Sequence, residues 1–330
     1  MHRRALGRTG MRVSEVSFGT WAIGGSWGEV AEEEALRGLA LAIDAGVNLF
    51  DTADVYGAGR AERLLARAAG GRPDILIATK FCRAGDLKAP STYGYEQVSR
   101  WCEDSLRRLG RERIDLYQIH CPPSDVLRDG AVFEVLDRLR REGKIAAAGV
   151  SVESVEQGLL CLPSPGRDTG VQALQVILNL FRQKPVAELL PRCAAAGVGI
   201  LARLPLASGL LTGKFTGSET FPEDDHRNFN RDGQRFNVGE TFAGLPLALG
   251  ANLAREAAWI AQGRGSMACA AMRWILDQPA VSAVIPGFKN PDQVRENLAA
   301  AEAPPFSPAE LQRLRAWHDE RVAPHIRGPY

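Results

Sequence analysis

Along most of the chain, short runs of β-branched and aliphatic residues alternate with longer stretches in which apolar residues recur every three or four positions. The runs 16–18, 47–50, 75–78, 114–119, 145–150, 173–177, 198–202 and 281–285 predict eight strands. Helical periodicity covers residues 32–45, 95–109, 132–142 and 185–196. Strands that are apolar nearly throughout, with amphipathic helices between them, suit a parallel sheet covered on both faces. Eight of them can close into a barrel. The competing doubly wound sheet usually carries a G-x-G-x-x-G turn after its first strand. Here Gly19-Thr20-Trp21-Ala22-Ile23-Gly24-Gly25 does not fit that pattern, and Gly57-Ala58-Gly59 lacks the third glycine. The expected fold is therefore α/β, a (β/α)8 TIM barrel, with residues 1–330 forming one domain. Residues 4–14 read as a small β-hairpin capping one end. Residues 216–244, after the seventh barrel strand, are rich in Gly, Asn, Asp and Phe and predict a long loop that is either functional or disordered.

Bulk composition narrows the class without naming it. The chain has 330 residues and 45% hydrophobic residues, enough for a large core. Lys+Arg 40 against Asp+Glu 39 leaves a net charge of +1, so no global field points to nucleic acid or an acidic membrane surface. The N-terminal segment is basic with no apolar stretch behind it, and no run approaches the length of a membrane span. Cys82, Cys102, Cys121, Cys161, Cys193 and Cys269 are scattered without metal-ligand spacing, a pattern expected of reduced thiols in the cytoplasm.

The chemistry gathers at strand ends. Three strands finish in Asp51, Lys80 and His120, and Tyr56 follows Asp51 within one short loop. In a parallel barrel all four come to the C-terminal rim, where barrel enzymes place their active sites. Each alone reads as a rim charge or a packing residue; together they suit proton delivery to an oxygen that is gaining charge. A free phenol, with a pKa near ~10, is a poor acid unless its anion is stabilised. Lys80 beside Tyr56 is expected to lower that pKa, Asp51 to keep the lysine charged, and His120 to donate a hydrogen bond to a carbonyl. No metal-ligand set and no G-x-S-x-G hydrolase elbow occurs.

The stretch Phe50-Asp51-Thr52-Ala53-Asp54-Val55-Tyr56-Gly57-Ala58-Gly59-Arg60-Ala61-Glu62 closely resembles the signature of the aldo-keto reductase family. Residues 78–80, 115–120 and 206–214 match it in the family's order. The resemblance runs over nearly the whole chain and implies the tetrad Asp51, Tyr56, Lys80 and His120, with Tyr56 as general acid. It implies NADPH/NADP+ as cofactor and a small-molecule carbonyl substrate. It further implies that Gly19, Thr20 and Trp21 approach the nicotinamide, that Ser151 and Gln175 bind its carboxamide, and that Ser208, Leu210, Thr212 and Lys214 wrap the pyrophosphate. After the eighth strand, Gly287 and Lys289 lead into a helix with Asn290 as N-cap, a natural seat for the adenosine 2′-phosphate. Gln293 and Asn297 are implied ribose and adenine contacts.

Four positions depart from the family's pattern: Val152, Cys121, Leu178 and Arg203, the last where many members stack a tyrosine on the nicotinamide. Arg203 is expected either to lie against that ring or to turn aside and pair with a rim carboxylate. The pocket is expected to be lined by Trp21, Trp27, Phe81, Cys121 and the 216–244 loop, whose Phe221, Phe229, Phe236 and Phe242 either cover the substrate or anchor the loop. No positive cluster near the tetrad is evident, so the expected substrate is an aldehyde, ketone or open-chain sugar. Two other readings are a non-catalytic nicotinamide-sensing subunit of the same fold, and a barrel lyase or isomerase using Lys80 as a Schiff-base former. The oligomeric state is not legible.

Overall fold

The computed structural model describes residues 1–25, 27–69 and 71–330. Two short strands, β1 (Arg3–Ala5) and β2 (Arg12–Ser14), pair antiparallel as the predicted hairpin. Eight parallel strands follow: β3 (Phe18–Gly19), β4 (Leu49–Asp51), β5 (Leu76–Phe81), β6 (Ile114–His120), β7 (Ile145–Ser151), β8 (Ala173–Ile177), β9 (Gly199–Arg203) and β10 (Val281–Val284). Sheet order follows chain order, and the parallel bridges Val16–Val284 and Gly19–Gly287 join the two ends into a barrel. The fold is the (β/α)8 barrel with a hairpin cap.

Side-chain alternation along the strands sorts the interior into layers. Leu49, Ala78, Leu116, Ala147, Ala173, Leu201 and Ala283 form an apolar floor, together with Leu6 and Val13 of the hairpin. Two residues further along, the same inward face carries Asp51, Lys80, Gln118, Gln175 and Arg203. Residues of opposite parity, such as Phe50, Ile77, Phe81, Tyr117, Ile119 and Val150, belong to the separate cluster shared with the surrounding helices. The strands that bear Asp51, Lys80 and His120 thus run one to three residues further than their apolar runs suggested, because hydrogen bonds inside the barrel satisfy those polar ends.

The hairpin closes the N-terminal end. Leu6 and Val13 are fully buried, each adding about 1.5–3 kcal/mol of burial. Gly7 (φ +51°) presses so close to β9 that a Cβ there would lie 2.2 Å from the Gly199 nitrogen. Arg4 fastens the cap to Glu15 (2.7 Å) and to the carbonyls of Leu276 and Val281.

Helices Glu32–Asp44, Tyr95–Leu109 and Ala131–Arg141 match their periodic segments. The stretch 185–196, expected as one helix, is two, Lys184–Glu188 and Leu190–Ala195. Pro191 has no N–H to continue the ladder and its ring opposes the preceding turn, so it sits in the first turn of a new helix.

The 216–244 segment is folded onto the barrel, with short helical turns at His226–Phe229, Val238–Glu240 and Phe242–Gly244. Asn230 organises it: its amide donates to Thr241 (3.0 Å) while its oxygen accepts from the backbone of Arg235 and Phe236. The chain's last residues clasp it, through Arg327 to the Gly244 carbonyl (2.8 Å), and buried Arg182 reaches the carbonyls of Ala243 and Pro329. No helix among the described residues is long and apolar enough to cross a membrane, and all six cysteines are free and buried.

Candidate active site

Strand parity brings Asp51, Lys80 and His120 to the barrel's C-terminal mouth, and the loop after β4 brings Tyr56 over them. That loop is pinned by Gly57 (φ +59°), where a Cβ would meet the Gly24 carbonyl at 2.1 Å. The close approach sets the Trp21 and Tyr56 rings in a stack with centroids 6.0 Å apart, and the His120 ring lies edge-on to Tyr56 at 5.9 Å.

The fully buried Lys80 ammonium donates to Asp51 Oδ1 (2.5 Å), the Thr52 carbonyl (2.8 Å) and the Tyr56 hydroxyl (3.4 Å). Asp51 Oδ2 accepts from Gln118 (3.0 Å) and Gln175 (2.7 Å), so the carboxylate is held by three side chains from three strands. Burial penalises the ammonium, but Asp51 and Tyr56 together outweigh it and hold Lys80 above its ordinary pKa. For Tyr56 the balance differs from expectation. Lys80 pulls its pKa down as predicted, yet burial is larger and leaves the phenol above its ordinary value. His120 is pushed well below its ordinary value by burial and by the positive charges of Arg83, Lys80 and Arg203; its imidazole is neutral.

A cavity of about 550 Å³ opens beside this group. It runs from Asp51, Tyr56 and His120 past Gly19, Trp21, Gln175 and Arg203 to Ser208, Thr212, Lys214, Gly287, Lys289, Gln293 and Asn297. Most of the residues implied for the cofactor therefore share one cleft. Thr20, Ser151 and Leu210 do not line it. Thr20 bonds the Asp51 carbonyl (3.1 Å), Ser151 donates to Gln175 Oε1 (3.4 Å), and Leu210 is fully buried. Asn290 caps the helix Pro291–Leu298, Asn297 holds the Gly287 carbonyl (3.0 Å), and the Lys289 amine meets the Trp27 carbonyl.

The far end of the cleft fits the phosphates of a nicotinamide dinucleotide by its donor chemistry. Lys214, Arg227 and Lys289 line it together, and burial plus the neighbouring Arg227 charge push the Lys289 amine below its ordinary pKa. Cations crowded in this way suit an anionic guest. Ala207, Ser208 and Gly209 have successive positive φ values of 48°, 57° and 103°, a strained turn held by the Ala207 and Gly209 N–H groups donating to the Leu204 and Leu206 carbonyls, and it sets Ser208 and Gly209 against the cleft.

Several pocket expectations change. Phe81 faces outward, stacked on Tyr117 at 4.7 Å, because it follows inward-facing Lys80 by one residue. Trp21 and Trp27 do line the cavity, as do Phe229 and Phe236, whereas Phe242 is buried and packs with Phe215 and Phe221 as an anchor. Cys121, expected in the lining, does not line the cavity and lies instead in a charged cluster beside it, against Arg203 and Glu240. Arg83, in the turn after β5, and Arg203 both pair with Glu240 of the loop, at 2.7 and 3.3 Å, and Arg83 reaches Glu153 at 3.4 Å. The positive residues absent from the linear pattern are thus assembled beside the tetrad. Cys121, Glu153 and Glu240 place their ligand atoms within 4.8 Å of one another, but the two guanidiniums already supply the positive charge there. No local signal marks Glu240, which arrives from across the barrel mouth.

A parallel barrel with this proton-handling group at its C-terminal mouth and a cationic cleft alongside defines a barrel oxidoreductase. The chain belongs to the aldo-keto reductases: the profile described as Aldo/keto reductase family matches residues 15–319. It is 33% identical over 302 residues to the aldo-keto reductase YhdN of Bacillus subtilis (strain 168), covering 89% of this chain and 87% of the relative. It is 31% identical to a probable voltage-gated potassium channel subunit beta of Oryza sativa subsp. japonica, covering 96% of each. Among solved structures, the glycerol dehydrogenase AKR11B4 from Gluconobacter oxydans superposes with a TM-score of 0.73 at 31% identity, over 99% of this chain and 97% of that one.

Proposed function

We propose that this protein is a cytoplasmic, single-domain NADPH-dependent reductase of aldehydes and ketones, with Tyr56 as general acid. The observation that carries this reading is the fully buried Lys80, bound at once to Asp51 (2.5 Å) and to the Tyr56 hydroxyl (3.4 Å) at the mouth of a cationic cleft. Reduced nicotinamide, when bound, supplies the hydride. Tyr56 hands its proton to the carbonyl oxygen, and the Lys80 charge stabilises the phenolate left behind. Asp51 keeps Lys80 charged and aimed. Neutral His120 donates a hydrogen bond to the same oxygen and sets its angle. Trp21, Trp27, Phe229 and Phe236 exclude water.

Lys289 and the N-terminus of helix Pro291–Leu298 would hold the 2′-phosphate. Lys214, Ser208 and Thr212 would hold the pyrophosphate, Gln293 and Asn297 the adenosine, and Gln175 Oε1 the carboxamide. A Schiff-base role for Lys80 is disfavoured, because its three N–H groups are all engaged and the side chain is fully buried. The test is NADPH oxidation against a panel of aldehydes and ketones, with Tyr56→Phe alongside. Turnover should fall by about 10²–10⁴ in the variant while NADPH affinity stays within a few-fold. Normal turnover in Tyr56→Phe would remove Tyr56 from the mechanism. A native protein that binds NADPH and reduces nothing would favour the non-catalytic, cofactor-sensing role.

A further inference from the structure

The substrate end of the cavity departs from the neutral pocket that the linear sequence suggests. Arg83 and Arg203 both line it with Glu240, while Asp51, the other acid there, is taken up by Lys80, Gln118 and Gln175. Glu240 is shared between the two guanidiniums, and Glu153 reaches Arg83 from outside the cavity. Every hydrogen bond made by either guanidinium among the described residues runs through Nη2. Nε of Arg203, a residue only 8% exposed, is buried without a partner among the described residues, and the hydrogen bonds of Arg83 to Glu153 and Glu240 both use Nη2. Two five-donor forks therefore face one shared carboxylate. Burial and the neighbouring Glu240 push Glu153 up to about 7, so it supplies no second full negative charge at neutral pH. The nearby Phe229 and Phe236 lower the local dielectric and make that imbalance count.

We propose that Arg83, backed by Arg203, forms a subsite for an oxyanion on the substrate, so that the preferred substrate is an aldehyde or ketone bearing a carboxylate. The inference rests on the reductase reading above. The planar edge of a guanidinium matches a carboxylate in two parallel hydrogen bonds, and the single charge of a carboxylate matches the one positive charge that two guanidiniums sharing Glu240 leave over, where a phosphate brings nearly two. The carboxylate takes no part in bond changes. Hydride from reduced nicotinamide adds to the carbonyl carbon, the C=O π pair takes the Tyr56 proton, and water reprotonates Tyr56. The product is a hydroxy acid and the nicotinamide leaves oxidised.

The test compares 4-oxobutanoate with its uncharged amide, and glyceraldehyde 3-phosphate with glyceraldehyde, in the native protein, Arg83→Gln and Arg83→Lys. The native protein should prefer the carboxylate over the amide by about tenfold or more in kcat/KM, expressed in KM. Arg83→Gln should lower that preference by about 10–100-fold, and Arg83→Lys should recover part of it. Equal use of acid and amide, or a preference that survives in Arg83→Gln, overturns the subsite; a preference confined to the phosphorylated pair overturns the carboxylate assignment. Succinate binding, read by tryptophan fluorescence, gives a check independent of turnover. It should be seen in the native protein, weaken in Arg83→Gln, and tighten several-fold in Glu240→Gln, which frees both guanidiniums. No succinate binding to the native protein overturns the subsite whatever the rates. Failure to reduce any of the four compounds, with succinate still bound, counts against the reductase reading alone.

Discussion

Replacing Asp54 by Asn should stabilise the protein, and more so at alkaline pH. Asp54 is 8% exposed, and neither carboxylate oxygen has a well-formed hydrogen-bond partner among the described residues. Burial first, and then the negative charge of Glu62, raise its pKa from 3.8 to about 7, against a loose contact from the Val55 backbone N–H and the opposing charges of Arg108 and Lys80. The folded state therefore holds this proton more tightly than the unfolded chain. Stability is highest below the unfolded value and is lost as pH rises through the folded one. A difference of about three pKa units corresponds to about 4 kcal/mol once the group is fully ionised. Between pH 5 and pH 8 the loss is about 2–3 kcal/mol by the same linkage. Asn carries no such titration. The gain in Tm of Asp54→Asn over the native protein should thus be larger near pH 8 than near pH 5 by about 4 °C, for a chain whose unfolding entropy scales with its length. Differential scanning calorimetry at the two pH values measures it directly. An equal Tm gap at both, or a variant less stable near pH 8, would refute the argument.

Three further outcomes follow from the site. Lys289→Met should weaken NADPH by about 1–2 kcal/mol and leave NADH nearly unchanged in equilibrium titrations, whereas equal losses would mean that Lys289 supports the loop without reading a phosphate. Because His120 is held neutral, kcat/KM for reduction should cross the ordinary histidine value of 6.5 without a break; an inflection there that vanishes in His120→Gln would contradict the neutral imidazole. Arg203 turns aside to the rim carboxylate Glu240 at 3.3 Å, which it shares with Arg83, so that its guanidinium is held in that cluster. The ratio of NADP+ to NADPH dissociation constants should change by less than about threefold in Arg203→Tyr, and a tenfold gain for NADP+ would show that its charge reaches the nicotinamide.

Much of this was legible in the linear chain because it depends on local periodicity. Alternation along a buried strand puts residues two apart on one face, so Leu49 with Asp51, Ala78 with Lys80, and Leu116 with Gln118 and His120 were committed to the interior once the strands existed. The hairpin and the capped helix after β10 carry equally local signals. The sequence also placed Tyr56 beside Lys80, since one short loop allows little else. What only the tertiary structure decided are quantities that depend on what surrounds a residue. Tyr56 ends above its ordinary pKa because burial by distant elements outweighs the neighbouring ammonium. Phe81 left the pocket because parity, fixed by the register of β5 on its neighbours, turned it outward. Arg83, Arg203 and Glu240, up to 157 positions apart, form one charged cluster only because the 216–244 loop folds back across the barrel mouth. No periodic pattern encodes that contact: it is chosen by pairing charges that burial would otherwise leave uncompensated.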